Sequence, residues 1–289
     1  MGFSFFELNL GRMMSEQPTQ VGKVYLVGAG PGDPKLLTIK AAEAIAAADV
    51  IVYDYLVNPE TLSHARRGVE LVDVGKRAGH PSASQAEINR ILIEQAHSGK
   101  TVARLKGGDP FIFGRGGEEA EALAEAGIPW EVIPGVSSGV AAAAYAGIPL
   151  THRGAASSVA FITGHENPRK RRRAIDWSVT AHAADTLVIF MCAETIAEIA
   201  GKLIEAGRPA ATPIAIIRWG TYAHQEVYAG VLADLVAGGP GEFHVEPPAI
   251  AVVGEVVALR RSLGWFGSPE LEHSIDSLLQ HTTAQVAGI

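Results

Sequence analysis

Cysteine is nearly absent from this 289-residue chain: Cys192 stands alone. One thiol excludes an internal disulfide and a cysteine-built metal site. It fits a reducing compartment, so a cytoplasmic location is expected. Aromatic residues make up only 7% and charged residues 19%, with a net charge of −7. That acidic balance argues against non-specific binding to nucleic acid, which needs a basic face. No apolar run approaches the roughly 20 residues of a membrane helix, so neither a nucleic acid nor a membrane is expected as a partner. The ten histidines show no H-E-x-x-H spacing, and no metal site is expected. The phosphate-binding pattern G-x-x-x-x-G-K-[ST] is missing as well.

Met1 to Glu7 is apolar but short, lacks a basic start and carries Glu7, which does not suit a signal peptide. Phe6 stands where a myristoylation signal wants Ser or Thr. Met13 and Met14 offer alternative starts, and residues 1–21 are read as a flexible N-terminal extension.

What is present is a globular composition, 47% hydrophobic, with short β-branched runs alternating with alanine-rich stretches. Strands are expected at 24–27, 50–53, 70–74, 102–105, 130–133, 159–163, 186–191, 214–218, 226–228 and 249–253. Helices fit 37–48, 85–97, 118–126, 138–146 and 195–206. Such alternation implies parallel βαβ units. The strand-richer second half reads as a mixed sheet. The expected architecture is two α/β domains, 22–135 and 136–263, with a ligand cleft between them and a tail at 264–289. A cleft between domains is the default ligand site.

The most informative stretch is Lys106-Gly107-Gly108-Asp109-Pro110-Phe111-Ile112-Phe113-Gly114-Arg115-Gly116-Gly117-Glu118-Glu119, between a strand and a helix. Glycine lets a ligand approach the backbone. The interrupting Phe111, Ile112 and Phe113 suggest an apolar wall beside exposed amides, suited to a flat ligand with polar ends. Gly28-Ala29-Gly30-Pro31-Gly32-Asp33 misses the dinucleotide spacing G-x-G-x-x-G, because Asp33 occupies the last glycine position. Its prolines remove amide donors a pyrophosphate would use. A structural turn and a nucleoside-like ligand site both remain open for this motif.

Asp54 and Lys76 each follow a strand, where a carboxylate and an amine can exchange protons with a substrate. A helix cap for Asp54 and a solvated Lys76 explain them equally well. Ser137 and Ser138 precede an alanine-rich helix and suit capping, a ligand contact, or both. Met191 suits either core packing or a ring system. The basic run Arg169-Lys170-Arg171-Arg172-Arg173 reads as a solvated loop or as a site for a polycarboxylate or polyphosphate.

Taken in order, these motifs resemble the tetrapyrrole methylases, the class III S-adenosylmethionine (SAM) methyltransferases. The resemblance runs from Gly22 to about Arg260. Within that family the full glycine run followed by Glu118-Glu119 is similar to the members that methylate uroporphyrinogen III. The resemblance implies two α/β domains, a homodimer, and SAM bound in the cleft, with S-adenosylhomocysteine as product. It implies SAM contacts at Pro31, Gly107, Gly108, Asp109, Ile112, Ser137, Ser138, Met191 and Gly220. It assigns Asp54 as proton acceptor and Lys76 as proton donor. The implied reaction adds two methyl groups in turn to uroporphyrinogen III, giving precorrin-2 on the way to siroheme or cobalamin. Arg77, Arg115, Arg153 and the 169–173 run are candidates for its carboxylates. Four features depart from the family pattern: Ser137-Ser138 in place of a Thr-Ala or Thr-Ser pair, Cys192 where glycine usually follows the methionine, the unusually basic run at 169–173, and the tail after Leu263. No fused dehydrogenase–ferrochelatase segment is apparent, so methylation alone is expected.

Overall fold

The computed structural model describes residues 21–75, 83–165, 175–238 and 245–267. The first sheet is built from β1 (Val24–Gly28), β2 (Val50–Tyr53), β3 (Glu70–Asp73), β4 (Val102–Lys106) and β5 (Trp130–Ile133). Its order is β3-β2-β4-β1-β5, and every pair is parallel. Parallel strands are buried on both faces, which is why β1, β2 and β4 read as near-continuous apolar runs. One face packs on α1 (Ile39–Ala47) through Ala41, Ala44 and Ile45. The other packs on α2 (Gln85–His97) and α3 (Gly116–Glu125) through Ile88, Leu92, Ala120 and Leu123.

Caps set the helix starts. Thr38 Oγ1 accepts from the Ala41 N–H and Ser84 Oγ from the Glu87 N–H, each satisfying an amide without a helical partner. Helix α1 begins two residues later than the pattern suggested. Pro34–Leu36 forms a separate 3₁₀ turn, where Asp33 accepts from the Lys35 N–H, and Thr38 starts the helix anew.

The second sheet comprises β6 (Val159–Thr163), β7 (Thr186–Phe190), β8 (Pro213–Arg218), β9 (Glu226–Val231) and β10 (Ala249–Val253). Its order is β6-β7-β10-β8-β9; β6 and β7 are parallel and the remaining pairs antiparallel. Helix α4 (Ser138–Tyr145) follows β5 of the first sheet but packs on the second, with Ala142 and Ala143 in the core around Val188, Ile217 and Val252. The opposite face is covered by α6 (Ile196–Glu205), whose Ile196, Ile199, Ala200 and Leu203 make one apolar stripe. The short helices α5 (Trp177–Thr180), α7 (Leu232–Val236) and α8 (Arg260–Leu263) had no clear periodic signal. Beyond α8, Trp265 and Phe266 stack on Tyr145, and Trp265 Nε1 donates to the Ala144 carbonyl. The N-terminal extension and residues 268–289 of the tail lie outside the described residues.

Candidate active site

The ends of β1, β4, β5, β7 and β8 carry the motifs that the sequence singled out. In open α/β sheets, ligands gather beyond the carboxyl ends of strands. The turn after β1 is stitched to the turn after β4. Gly30 N–H donates to the Gly108 carbonyl at 3.2 Å, and Gly108 N–H to the Gly30 carbonyl at 2.6 Å. Asp109 ties this pair to the turn after β5. Its Oδ2 accepts from the Gly135 N–H at 3.0 Å and its Oδ1 from the Phe111 N–H at 2.8 Å. The backbones approach so closely that a Cβ on Gly135 would lie 2.3 Å from the Gly108 carbonyl oxygen, so only glycine fits there.

Loops of the second sheet close onto the same place. Thr221 Oγ1 accepts from the Asp33 N–H at 2.9 Å, and the Tyr145 hydroxyl donates to Asp33 Oδ2 at 2.8 Å. The Phe113 and Phe190 rings are 4.9 Å apart. A Cβ on Gly220 would sit 2.3 Å from Ala142 Cβ on α4. Pro31, Gly107, Gly108, Asp109, Ile112, Ser137, Ser138, Met191 and Gly220 therefore occupy adjoining loops.

The non-glycine residues with positive φ are Phe113, Arg115, Met191, Trp219 and Thr221 among the described residues, and all follow β4, β7 or β8. Such conformations cost of order 1–3 kcal/mol each and persist where surrounding structure imposes them, often at functional sites. Met191 is 51% exposed, so the core-packing reading of it does not hold. Phe111, Ile112 and Phe113 are also exposed, in the loop after β4. Cys192 instead points into the second-sheet core, with its thiol pushed up to about 12 by burial. The side chain that replaces the usual glycine is thus turned away from these loops.

Ser137 holds the N-cap position of α4, but its hydroxyl makes no capping bond. Gly135-Val136-Ser137-Ser138-Gly139 also satisfies the nucleophile spacing G-x-S-x-G after a strand and before a helix. No histidine bonds Ser137 among the described residues, so it lacks the base a nucleophile needs.

Asp54 is not a helix cap. Its Oδ1 accepts from the Leu56 N–H at 3.1 Å in a local turn, and the next helical turn is capped by Asn58. Its Oδ2 lies 3.3 Å from Arg104 Nη2. Behind it, Arg104 and Lys106 of β4 converge on Glu119 of α3 at 3.1 and 2.8 Å. Burial draws the Lys106 ammonium below the usual lysine range and Arg104 adds to the shift, while Glu119 and Asp54 oppose it. Sequence reasoning passed over this cluster. The signal was two cations, at i and i+2, inside a strand otherwise made of core residues.

Arg115 forms a two-point ion pair with Glu118, at 2.9 and 2.6 Å, which holds the Glu118 carboxyl below its ordinary range. Arg153 is exposed in the turn closed by the His152–Ala156 bridge, and among the described residues no hydrogen bond or ion pair joins it to the loops above. Lys76, Arg77 and the 169–173 run lie outside the described residues. Among the described residues, no three or more His, Cys, Asp or Glu are grouped to hold a metal ion, and no helix is long and apolar enough to cross a membrane.

A profile of the Tetrapyrrole (Corrin/Porphyrin) Methylases matches residues 23–236. The chain belongs to this family. A uroporphyrinogen-III C-methyltransferase of Bacillus subtilis is 51% identical over 249 residues, covering 86% of this chain and 96% of the relative. Siroheme synthase 2 of Aeromonas hydrophila is 50% identical over 263 residues, which are 91% of this chain but 55% of that protein. The chain thus spans about half the length of the siroheme synthases it matches. Among solved structures, the uroporphyrin-III C-methyltransferase of Thermus thermophilus complexed with S-adenosylhomocysteine aligns with a TM-score of 0.70 at 39% identity. That match covers 82% of this chain and 93% of the other. This methylase pairs a parallel sheet with a mixed one.

Proposed function

We propose that this methylase transfers two methyl groups in turn from SAM to carbon atoms of uroporphyrinogen III, yielding precorrin-2. The observation that carries the reading is the junction of loops from both sheets, where the Asp33 N–H meets Thr221 and Phe113 meets Phe190, the residue before the exposed Met191. Likeness to the Bacillus enzyme over nearly its whole length supports the substrate.

The residues fit SAM. Exposed Ile112 and Met191 offer apolar contact for a flat base, the Gly107–Gly108 backbone offers close approach, and the Asp109 carboxylate has lone pairs left for hydroxyls. Pro31, Ser137, Ser138 and Gly220 complete that half of the site. When bound, SAM supplies an electrophilic methyl on a sulfonium, so the chain need not build an activated nucleophile. The reduced pyrrole carbon is itself electron-rich, and orienting it supplies much of the rate. Each methylation leaves a proton to be removed. Asp54, partly exposed at the end of β2, is the acceptor in this reading, with Lys76 as donor. Arg77, Arg115 and Arg153 meet substrate carboxylates, Arg115 by exchanging Glu118 for one of them.

The reading extends to two domains, 22–135 and 136–263, with SAM in a cleft between them, and to a cytoplasmic homodimer without nucleic-acid or membrane partners. The deciding experiment supplies SAM and anaerobically prepared uroporphyrinogen III and weighs the tetrapyrrole. A net gain of two CH₂ units is expected; no gain overturns the reading.

A further inference from the structure

Residues two apart on a strand share a face. On the face of the first sheet toward α2 and α3, β4 therefore runs from Val102 through Arg104 to Lys106, and beside it Val52 of β2 is followed by Asp54, one residue past the strand. Val52 and Val102 are fully buried core. At the strand ends the same face turns ionic without becoming exposed: Arg104 is 3% exposed, Lys106 4% and Glu119 0%. Of the four charges, only Asp54 opens appreciably to the surface, at 25% of its side chain.

The Arg104 guanidinium divides its donors three ways. Nε donates to Glu119 Oε1 at 3.1 Å, Nη1 to the Leu105 carbonyl at 2.9 Å and Nη2 to Asp54 Oδ2 at 3.3 Å. Glu119 Oε1 also accepts from Lys106 Nζ at 2.8 Å and Gln85 Nε2 at 3.3 Å, while Oε2 has no partner among the described residues. Stability alone does not explain such an array, because apolar residues of similar volume commonly serve a buried site as well or better. Arginine cannot relay a proton, since it stays charged. Its planar fork can fix the orientation of a carboxylate. With Oδ1 held by the Leu56 N–H, a single donor, Nη2 at 3.3 Å, fixes Asp54 from its second oxygen, and the other arms of the fork fix Nη2 in turn.

We propose that Arg104 is a positioning residue: it orients Asp54 for proton removal, and Glu119, itself fixed by Lys106, holds the guanidinium from behind. This rests on the reading of Asp54 as the proton acceptor. The test measures kcat, both KM values and S-adenosylhomocysteine affinity by calorimetry for Arg104→Gln, Arg104→Lys, Asp54→Asn and the Arg104→Gln/Asp54→Asn double variant of the full chain. Arg104→Gln should lower kcat by about 10²-fold, the scale of a misplaced catalytic group, with both KM values and S-adenosylhomocysteine affinity nearly unchanged. In the Asp54→Asn background the same change should cost no more than about twofold, because the group it positions is already gone. Arg104→Lys keeps the charge but not the fork, and should lose part of the turnover at unchanged KM; it carries the test if the glutamine variant does not fold. Full turnover in Arg104→Gln or Arg104→Lys, or an undiminished further loss in the double variant, overturns the proposal while Asp54→Asn stays inactive. Full turnover in Asp54→Asn removes the acceptor reading itself, and the positioning role falls with it.

Discussion

Along β4 the buried side chains turn from Val102 to Arg104 and Lys106, whereas β7 stays apolar through Phe190 and then turns outward at Met191. The first sheet ends in charge sealed beneath two helices. The second ends in an exposed apolar side chain on a backbone bent to a φ of 54°. A buried ionic end can hold a titratable group in a fixed orientation, while an apolar rim can only shape and exclude. In the proposed function, the first sheet supplies the proton chemistry and the glycine loops at SAM, and the second adds the apolar contact of Met191.

The largest expected effect tests the first half of that contrast. Asp54→Ala should lower kcat by roughly 10²- to 10⁴-fold, the range for a general base, with S-adenosylhomocysteine binding retained in calorimetry. Next, Glu119→Leu leaves Arg104 and Lys106 buried without their shared anion. Urea unfolding should show a loss of about 3–5 kcal/mol, as expected when one partner of a buried pair is removed. A loss under about 1 kcal/mol, no more than an exposed pair is worth, would mean that the ionic end is effectively solvated and the contrast between the sheets is false.

The second half is tested more gently. Met191→Gly relieves a left-handed conformation that costs an L-residue roughly 1–2 kcal/mol, so the unfolding midpoint should hold or rise. S-adenosylhomocysteine affinity should nevertheless fall, because the exposed side chain is lost; unchanged affinity would take Met191 out of the site.

The smallest effect concerns the edge of the first sheet. Glu131 on β5 pairs with Lys23 and Lys40, chiefly Lys23, and these hold its carboxyl at about 2 against an ordinary 4.5. A lowered folded value stabilises the fold fully above 4.5, and that contribution disappears as pH falls through the window toward about 2. The group is solvent-screened, so the contribution is small. In Glu131→Gln the slope of stability against pH across that window should flatten slightly; an unchanged slope would assign the acid sensitivity to other carboxylates.

The strands and long helices could be read from local pattern. The continuous apolar runs at 24–27 and 249–253 mark strands buried on both faces, and the apolar stripe of α6 marks a helix of period 3.6. The short α5 and α7 could not, since four or five residues show no period. Within the site, the glycine loop after β4 was legible because glycine and proline mark backbone conformations directly. The Arg104–Glu119 pair was not, since a strand cation carries no mark of the helix carboxylate that meets it. For Met191 the sequence left core packing and an exposed contact open, because its exposure depends on a backbone turn that only the packed sheet imposes.

By itself, the sequence determined the alternation of elements, the glycine turns at the strand ends and the absence of cysteine-based chemistry, all features that reside in neighbouring residues. The tertiary structure alone decided that α4 leaves the first sheet to pack on the second. It alone set Asp33 against Thr221, 188 positions away, and brought two cations and the Glu119 carboxylate together behind Asp54. The physical reason is that local periodicity tells a side chain which face of its own element it occupies. Its partner across the core is chosen by the packing of whole elements, which no short stretch of chain contains.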